Sequence, residues 1–254
     1  MTTDIYDKML NIRAQKGAGF IVLIDPDDLP SERAPKFLAD CEAAGVDAFF
    51  LGGSLMHVPW LDKYVAMLKQ FTSLPVIGFP GSLNQVSGHL DAILYLSVIS
   101  GRNPDYLFGQ HVIAAPILKR LKLETISTGY MLIESGQMTA AQYMSNSIPI
   151  PRNKANIAVA TALAAEMMGM KMLFTDAGSG AEKMVREDMI TAISRTCSIP
   201  LVVGGGIKSP YEVANRVQAG ASFVVIGDAI EKNSDRHYIE DLAAAAHSRL
   251  PVKI

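Results

Sequence analysis

TDAGSG at Thr175–Gly180, VVGGGI at Val202–Ile207 and VVIGDAI at Val224–Ile230 are three apolar runs that each end in glycine. Their separation is about the length of a βα unit. Glycine lets the backbone come close to an anion, and a helix that follows offers free N–H groups. Upstream, the apolar run Phe20-Ile21-Val22-Leu23-Ile24 stops at Asp25-Pro26-Asp27-Asp28. Carboxylates therefore gather where a buried strand reaches the surface, as a hard divalent cation requires.

Working outward, the chain alternates short apolar strands with helical stretches. The strands read as Gly19–Ile24, Ala48–Leu51, Val76–Phe79, Ala92–Leu96, Thr125–Thr128, Met172–Thr175, Leu201–Val203 and Phe223–Ile226. Most are continuous apolar runs, as expected of parallel strands covered on both faces. The helices read as Ser31–Ala44, Pro59–Thr72, Pro104–Arg120, Lys154–Met168, Arg186–Thr196 and Pro210–Ala219. Asp4–Lys16 reads as a leading helix that plugs a barrel bottom. With 254 residues, the chain matches one (β/α)8 TIM barrel, an α/β fold, as a single domain over 1–254. A doubly wound open sheet is the runner-up. It more often carries one glycine-rich turn near the N-terminus than three near the C-terminus.

Composition narrows the class. Net charge is −2 and no basic block is present, so nucleic acid is not an expected partner. The N-terminus lacks an apolar core of the signal-peptide kind, and no apolar run reaches the roughly 18 residues of a membrane span. Cys41 and Cys197 stand without metal spacing and read as core thiols, which fits a reducing, cytoplasmic location.

In a barrel, function collects at the C-terminal strand ends. There stand Asp25, Asp27 and Asp28, then Gly52-Gly53-Ser54, Pro80-Gly81-Ser82, Gly129-Tyr130 and Glu134, and the three glycine loops. Mg2+ takes one or two carboxylates and completes its shell with water and substrate phosphate. Asp25 supplies the carboxylate, with Ser54 on the adjacent strand end. Taken alone, the Asp25–Asp28 stretch reads equally as a turn and helix cap. The loops at Gly178–Gly180, Gly204–Gly206 and Gly227-Asp228 form a three-sided nest, where barrels often bind phosphate. Lys208 reads as a surface lysine. Asp176 stands between the two regions as a proton acceptor or a helix cap. His57, His89 and His111 show no metal spacing. Tyr130–Ile133, Met138, Tyr143-Met144, Ile148 and Ile150 form an apolar insert that shelters a hydrocarbon or packs on the barrel or another subunit.

These pieces together resemble the geranylgeranylglyceryl phosphate synthase family of TIM-barrel prenyltransferases. The resemblance rests on LIDPDD, FLGGS, VIGFPGS, PRNKANIAVATALAAEMMGMK, TDAGSGA, VVGGGIKSPYEV and VVIGDAIEK, which span almost the whole chain. It implies transfer of a long prenyl group, geranylgeranyl first, from its diphosphate to the C3 hydroxyl of sn-glycerol 1-phosphate. Pyrophosphate leaves and an ether-lipid precursor forms. It implies Mg2+ held by Asp25 and Ser54. It implies a glycerol phosphate site made of Phe174, Thr175, Asp176, Ala177, Gly178, Ser179, Gly180, Gly204, Gly205, Gly206, Gly227 and Asp228, with Asp176 taking the hydroxyl proton. It also implies a homo-oligomer. Where the family pattern often reads Tyr-Leu-Glu, this chain has Phe174-Thr175-Asp176, losing a phenol and one methylene. Two other readings fit the glycine nest: an isomerase or lyase acting on a small phosphorylated substrate, and a phosphate-binding protein without catalysis.

Overall fold

The structure, a computed structural model, describes residues 4–57 and 60–248. Eight parallel strands close into a barrel in sequence order: β1 (Gly19–Ile24), β2 (Ala48–Leu51), β3 (Val76–Gly78), β4 (Ala92–Val98), β5 (Glu124–Leu132), β6 (Met172–Asp176), β7 (Leu201–Gly204) and β8 (Phe223–Ile226). The helices are α1 (Asp4–Lys16), α2 (Ala34–Ala43), α3 (Leu61–Leu68), α4 (Gln110–Leu121), α5 (Ala140–Ser145), α6 (Ala155–Met167), α7 (Glu187–Thr196), α8 (Pro210–Ala219), α9 (Asp228–Lys232) and α10 (Arg236–Ala246). The (β/α)8 expectation is met.

Strand periodicity sorts the core into two layers. Ile21, Phe50, Ile77, Leu94, Ile126, Met172, Val202 and Phe223 fill the barrel interior. Their chain neighbours Val22, Phe49, Val76, Ile93, Leu173, Val203 and Val224 face the helices. Ile5 and Met9 of α1 join the interior cluster, so the leading helix does plug the bottom. Glu124, first residue of β5, accepts the Ile5 and Tyr6 N–H groups at 2.9 Å each, satisfying donors at the start of α1.

Several boundaries differ from the sequence reading for identifiable reasons. Helix α2 starts at Ala34 rather than Ser31, because Pro35 favours the first helical turn. The expected helix start at Pro59 lies outside the described residues. Strand β5 runs on to Leu132 instead of stopping at Thr128. Gly129 does not end it; a Cβ there would lie 2.8 Å from Ile99 and 3.1 Å from Ala165, so this glycine marks the close approach of α6. Tyr130 is consequently an inward-facing strand residue, not a rim residue.

Asp47 ties both chain ends to the barrel bottom. It accepts from Phe20 N (2.8 Å), Lys16 Nζ (2.5 Å) and His247 Nε2 (2.8 Å), while its side chain is 3% exposed. Burial alone would raise its carboxyl; the His247, Lys16 and Phe20 donors outweigh burial and hold it below the ordinary range. Asp47→Asn is expected to cost about 2 kcal/mol in urea unfolding near neutral pH, the scale of hydrogen bonds to a charged group. A depressed carboxyl stabilises above its unfolded pKa and ceases to as pH falls through its folded one. The wild-type advantage should therefore vanish in acid. A cost below about 1 kcal/mol, within the range of an exposed pair, would rule out this anchor.

Candidate active site

Two cavities open at the C-terminal rim, and Asp176 lies on the wall of both. The smaller, about 50 Å³, is bounded by Ser179, Gly180, Gly204, Gly205, Gly206, Lys208, Gly227 and Asp228. The three glycine loops thus converge as expected. Among the described residues, the N–H groups of Ser179, Gly180, Gly205 and Gly206 are taken by no acceptor within the chain. Four unpaired donors around a phosphate-sized space form an anion nest. Gly205 has φ +87, and a Cβ there would sit 2.6 Å from both Ala177 N and Gly178 N. Only glycine lets these loops close on each other. Lys208 is exposed, as read from the sequence, and borders the cavity.

Two residues of the expected site do not face it. Thr175 and Ala177 point away from the barrel axis by strand parity, and neither lines either of these two cavities. Thr175 Oγ1 donates to Val202 O at 3.3 Å, and Ala177 N donates to Gly204 O at 3.2 Å. They hold β6 to β7 behind the nest. Phe174 does face inward, 1% exposed, stacked on Phe79 at 5.3 Å and edge-on to Tyr130 at 5.3 Å.

Asp176 is buried, with Oδ2 accepting from Tyr130 Oη at 2.5 Å and Oδ1 from Gly178 N at 2.7 Å. Burial pushes its carboxyl above the ordinary range, and the two donors partly offset this. Burial and the neighbouring Asp176 charge both raise Tyr130, so the phenol keeps its proton and donates it. Each carboxylate oxygen retains a lone pair for a further donor. The phenol absent at Phe174 is thus supplied by Tyr130 from the next strand. This pairing is invisible in sequence because 46 residues separate the partners.

The larger cleft, about 320 Å³, has a polar and an apolar end. Asp25, Asp28, Ser54, Gly227, Asp228 and Glu231 line the polar end. No lysine or arginine lines this cleft among the described residues. The Asp25 carboxyl is pushed up to about 6, by burial first and then by the Asp28 and Asp27 charges. Glu231 is pushed up to about 7 by burial and by Asp28, Asp25 and Asp228. Such carboxylates call for a cation. Asp25 is packed so closely on Gly53 that a Cβ there would collide with Oδ2. Gln85, 2% exposed, holds this region: its Oε1 accepts Gly53 N (3.3 Å) and Gly81 N (3.0 Å), and Nε2 donates to Gly53 O (2.7 Å). Gln85 therefore fixes the loop bearing Ser54, a role the sequence reading missed. Among the described residues no three His, Cys, Asp or Glu side chains form a ready metal cage. An ion such as Mg2+ needs only one or two carboxylates from the protein and draws its other oxygens from water and phosphate.

The apolar end comes from Leu83, Val86, Leu94, Tyr95, Leu96, Ala114 and Leu118, with Ala140, Ala141 and Met144 on the facing side. The cleft is lined from both faces of β4, inward Leu94 and Leu96 and outward Ile93 and Tyr95, so it runs from the barrel mouth past β4 toward α4. The mid-chain insert divides: Ala140, Ala141 and Met144 line the cleft, Ile133 and Ile150 are buried and bridge each other, and Met138, Tyr143 and Ile148 are exposed. Glu134 accepts from Arg152 N at 3.3 Å. His111, which shows no metal spacing, lines the cleft; its Nε2 is 3.2 Å from Ser97 Oγ and burial lowers its imidazole below the ordinary range. A one-turn π-helix at Asp105–Gly109 leads into α4 beside this wall. Such turns are frequent at functional sites. Neither feature has a signature in the one-dimensional pattern.

A closed (β/α)8 barrel with an anion nest and an adjoining acidic and apolar cleft defines a phosphate-handling barrel enzyme with room for a long apolar group. The sequence matches the PcrB family model over residues 10–246, and the chain belongs to that family. The geranylgeranylglyceryl phosphate synthase of Chitinophaga pinensis is 47% identical over 252 residues, 99% of each chain. Among solved structures, (S)-3-O-geranylgeranylglyceryl phosphate synthase from Thermoplasma acidophilum, in complex with its substrate sn-glycerol-1-phosphate, superposes with a TM-score of 0.90. It is 30% identical, with 98% of this chain and 100% of that one covered. Wild-type GGGPS from Thermoplasma volcanium gives a TM-score of 0.91 at 32% identity over the whole of both chains.

Proposed function

We propose that this chain joins the C3 hydroxyl of sn-glycerol 1-phosphate to C1 of a long-chain allylic diphosphate, geranylgeranyl diphosphate first, giving a prenylglyceryl phosphate ether and pyrophosphate. The observation that carries this reading is the place of Asp176 between a phosphate-sized nest and a long apolar cleft. An isomerase or lyase acting on a small substrate has no use for the second cavity. The relatives' names point the same way.

The residues divide the work as follows. Free N–H groups of Ser179, Gly180, Gly205 and Gly206 hold the glycerol phosphate and orient its far hydroxyl toward Asp176. Tyr130 and Gly178 N fix the Asp176 carboxylate, which takes the hydroxyl proton as the oxygen attacks. The allylic C–O bond breaks, and its electron pair leaves with pyrophosphate. Phe79 and Tyr130, with Leu94 and Leu96 alongside, shelter the positively charged allylic carbon; aromatic faces attract cations, and apolar walls exclude water. Asp25 and Ser54 would hold Mg2+, which would neutralise charge on the departing diphosphate. Holding both substrates at one mouth supplies much of the acceleration through positioning. The buried free thiols, Cys41 and Cys197, fit a reducing compartment, so we place the reaction in the cytoplasm. Among the described residues, no helix is long and apolar enough to cross a membrane. We read the chain as a homo-oligomer, because Phe108, Val112, Ile113, Ile117 and Leu121 leave one apolar face of α4 and its leading turn exposed.

The deciding experiment incubates the protein with prenyl diphosphates of several lengths and each glycerol phosphate enantiomer, with and without Mg2+, and identifies products by mass. Absence of an ether product under every condition sinks the reading. Gly205→Val should raise KM for glycerol phosphate about tenfold or more, since positive φ strains valine and displaced N–H donors are each worth about 1 kcal/mol or more. KM for the prenyl diphosphate should change little. Equal effects on both substrates would indicate general damage instead.

A further inference from the structure

Arg216 of α8 is 6% exposed, and the reaction outlined above gives it no task. Its partners fall in one short stretch. Nη1 meets Glu187 Oε1 at 2.9 Å and Nη2 meets Met184 Sδ at 3.6 Å, while its Nε is buried without a partner. Met184 belongs to the irregular segment 181–186 that follows Gly180. This segment forms the back of the nest: a Cβ at Gly206 would lie 2.7 Å from Ala181 O and 3.3 Å from Met184 Cγ. Among the described residues, the only other side-chain hydrogen bond to Met184 is from Arg152 Nε to its carbonyl, at 3.2 Å. On the opposite side, α8 is a firm support. Ser209 and Glu212 form a reciprocal capping box at its start, directly after the Gly204–Gly206 loop.

We propose that Arg216 is a positioning residue for the phosphate nest, setting the separation of its β6 and β7 loops by clamping Met184 and Glu187 to α8. This rests on the reading of the nest as a phosphate site. A guanidinium is costly to bury, and an apolar side chain of similar volume often packs there at no loss of stability. What an apolar side chain does not supply is a fork reaching two points of an irregular segment at once. The N–H donors on the two loops act together on one anion, so a small change in loop separation misaligns all of them.

The test measures the affinity of the full-length protein for inorganic phosphate and for sn-glycerol 1-phosphate by calorimetry, with thermal midpoints and steady-state constants in parallel. Arg216→Met should weaken both affinities and raise KM for glycerol phosphate about tenfold, leaving KM for the prenyl diphosphate unchanged. Arg216→Lys, with one charged tip instead of a fork, should recover part of the loss. Glu187 is half exposed, so Glu187→Gln should fold normally and weaken phosphate binding about threefold. If Arg216→Met does not fold, the lysine and glutamine variants decide. Phosphate affinities equal to wild type in the folded variants, with or without a lower thermal midpoint, overturn the proposal and leave the nest reading intact. Failure of the wild-type protein to bind either phosphate overturns both.

Discussion

Asp176→Asn is expected to lower turnover about 10³-fold while changing the affinity for glycerol phosphate by less than about threefold, since general-base groups contribute roughly 10²–10⁴ in rate. Asparagine is nearly isosteric and keeps an oxygen for Gly178 N, so the nest should stay in place. What disappears is the proton acceptor. The pH profile gives a second handle. Burial raises the Asp176 carboxyl, so the acid limb of kcat/KM should lie above the ordinary carboxylate range: activity falls as pH drops and the base becomes protonated. Tyr130 opposes that rise through its hydrogen bond. Tyr130→Phe should therefore shift the limb to still higher pH and lower the rate at neutral pH. A purely structural Tyr130 would change stability without moving the limb. If Asp176→Asn lost binding but kept its single-turnover rate, Asp176 would be a positioning group and the base would lie elsewhere.

The barrel itself was legible because its strands are continuous apolar runs with punctuation at their ends. β1, β2 and β8 match the reading residue for residue, as does α8, which Ser209 and Pro210 open and Gly220 closes. Errors arose where glycine served packing instead of termination, as at Gly129. Helices α5, α9 and α10 were missed; α5 and α9 are too short to show a helical period. The glycine nest was legible because three similar loops recur at successive strand ends. The reason Thr175 and Ala177 turn away from it was available too, since strand parity alone sends alternate residues outward. The Tyr130–Asp176 pair, the Gln85 staple and the cleft along α4 were not legible. Each joins residues from distant parts of the chain whose meeting depends on register and barrel closure.

Asp25→Asn should reduce turnover by about 10²-fold or more, the scale for removing one electrostatic group from the reacting region. Its surroundings explain why the loss should be large. In the proposed reaction the cleft receives a diphosphate, yet no lysine or arginine among the described residues lines it, and Asp25, Asp28, Asp228 and Glu231 face it. Without a cation, substrate and wall would repel each other. Asp25, whose carboxyl is already pushed up to about 6 by burial and by Asp28 and Asp27, follows directly on the last residue of β1. Asparagine keeps an oxygen for Asp27 N and preserves the turn, so unfolding should not confound the result. Direct titration with Mn2+, a spectroscopically visible stand-in for Mg2+, should show weaker binding to the variant than to wild type. A readout independent of turnover then accompanies the kinetic one. Protonation of Asp25 should mimic the substitution, so cation affinity should fall as pH drops through about 6 in wild type and fall less steeply in Asp25→Asn, where Glu231 still titrates. Normal turnover and unchanged Mn2+ affinity in the variant would remove Asp25 from the metal site. Glu231, whose carboxylate is raised to about 7 at the same end of the cleft, would then be the next carboxylate to replace.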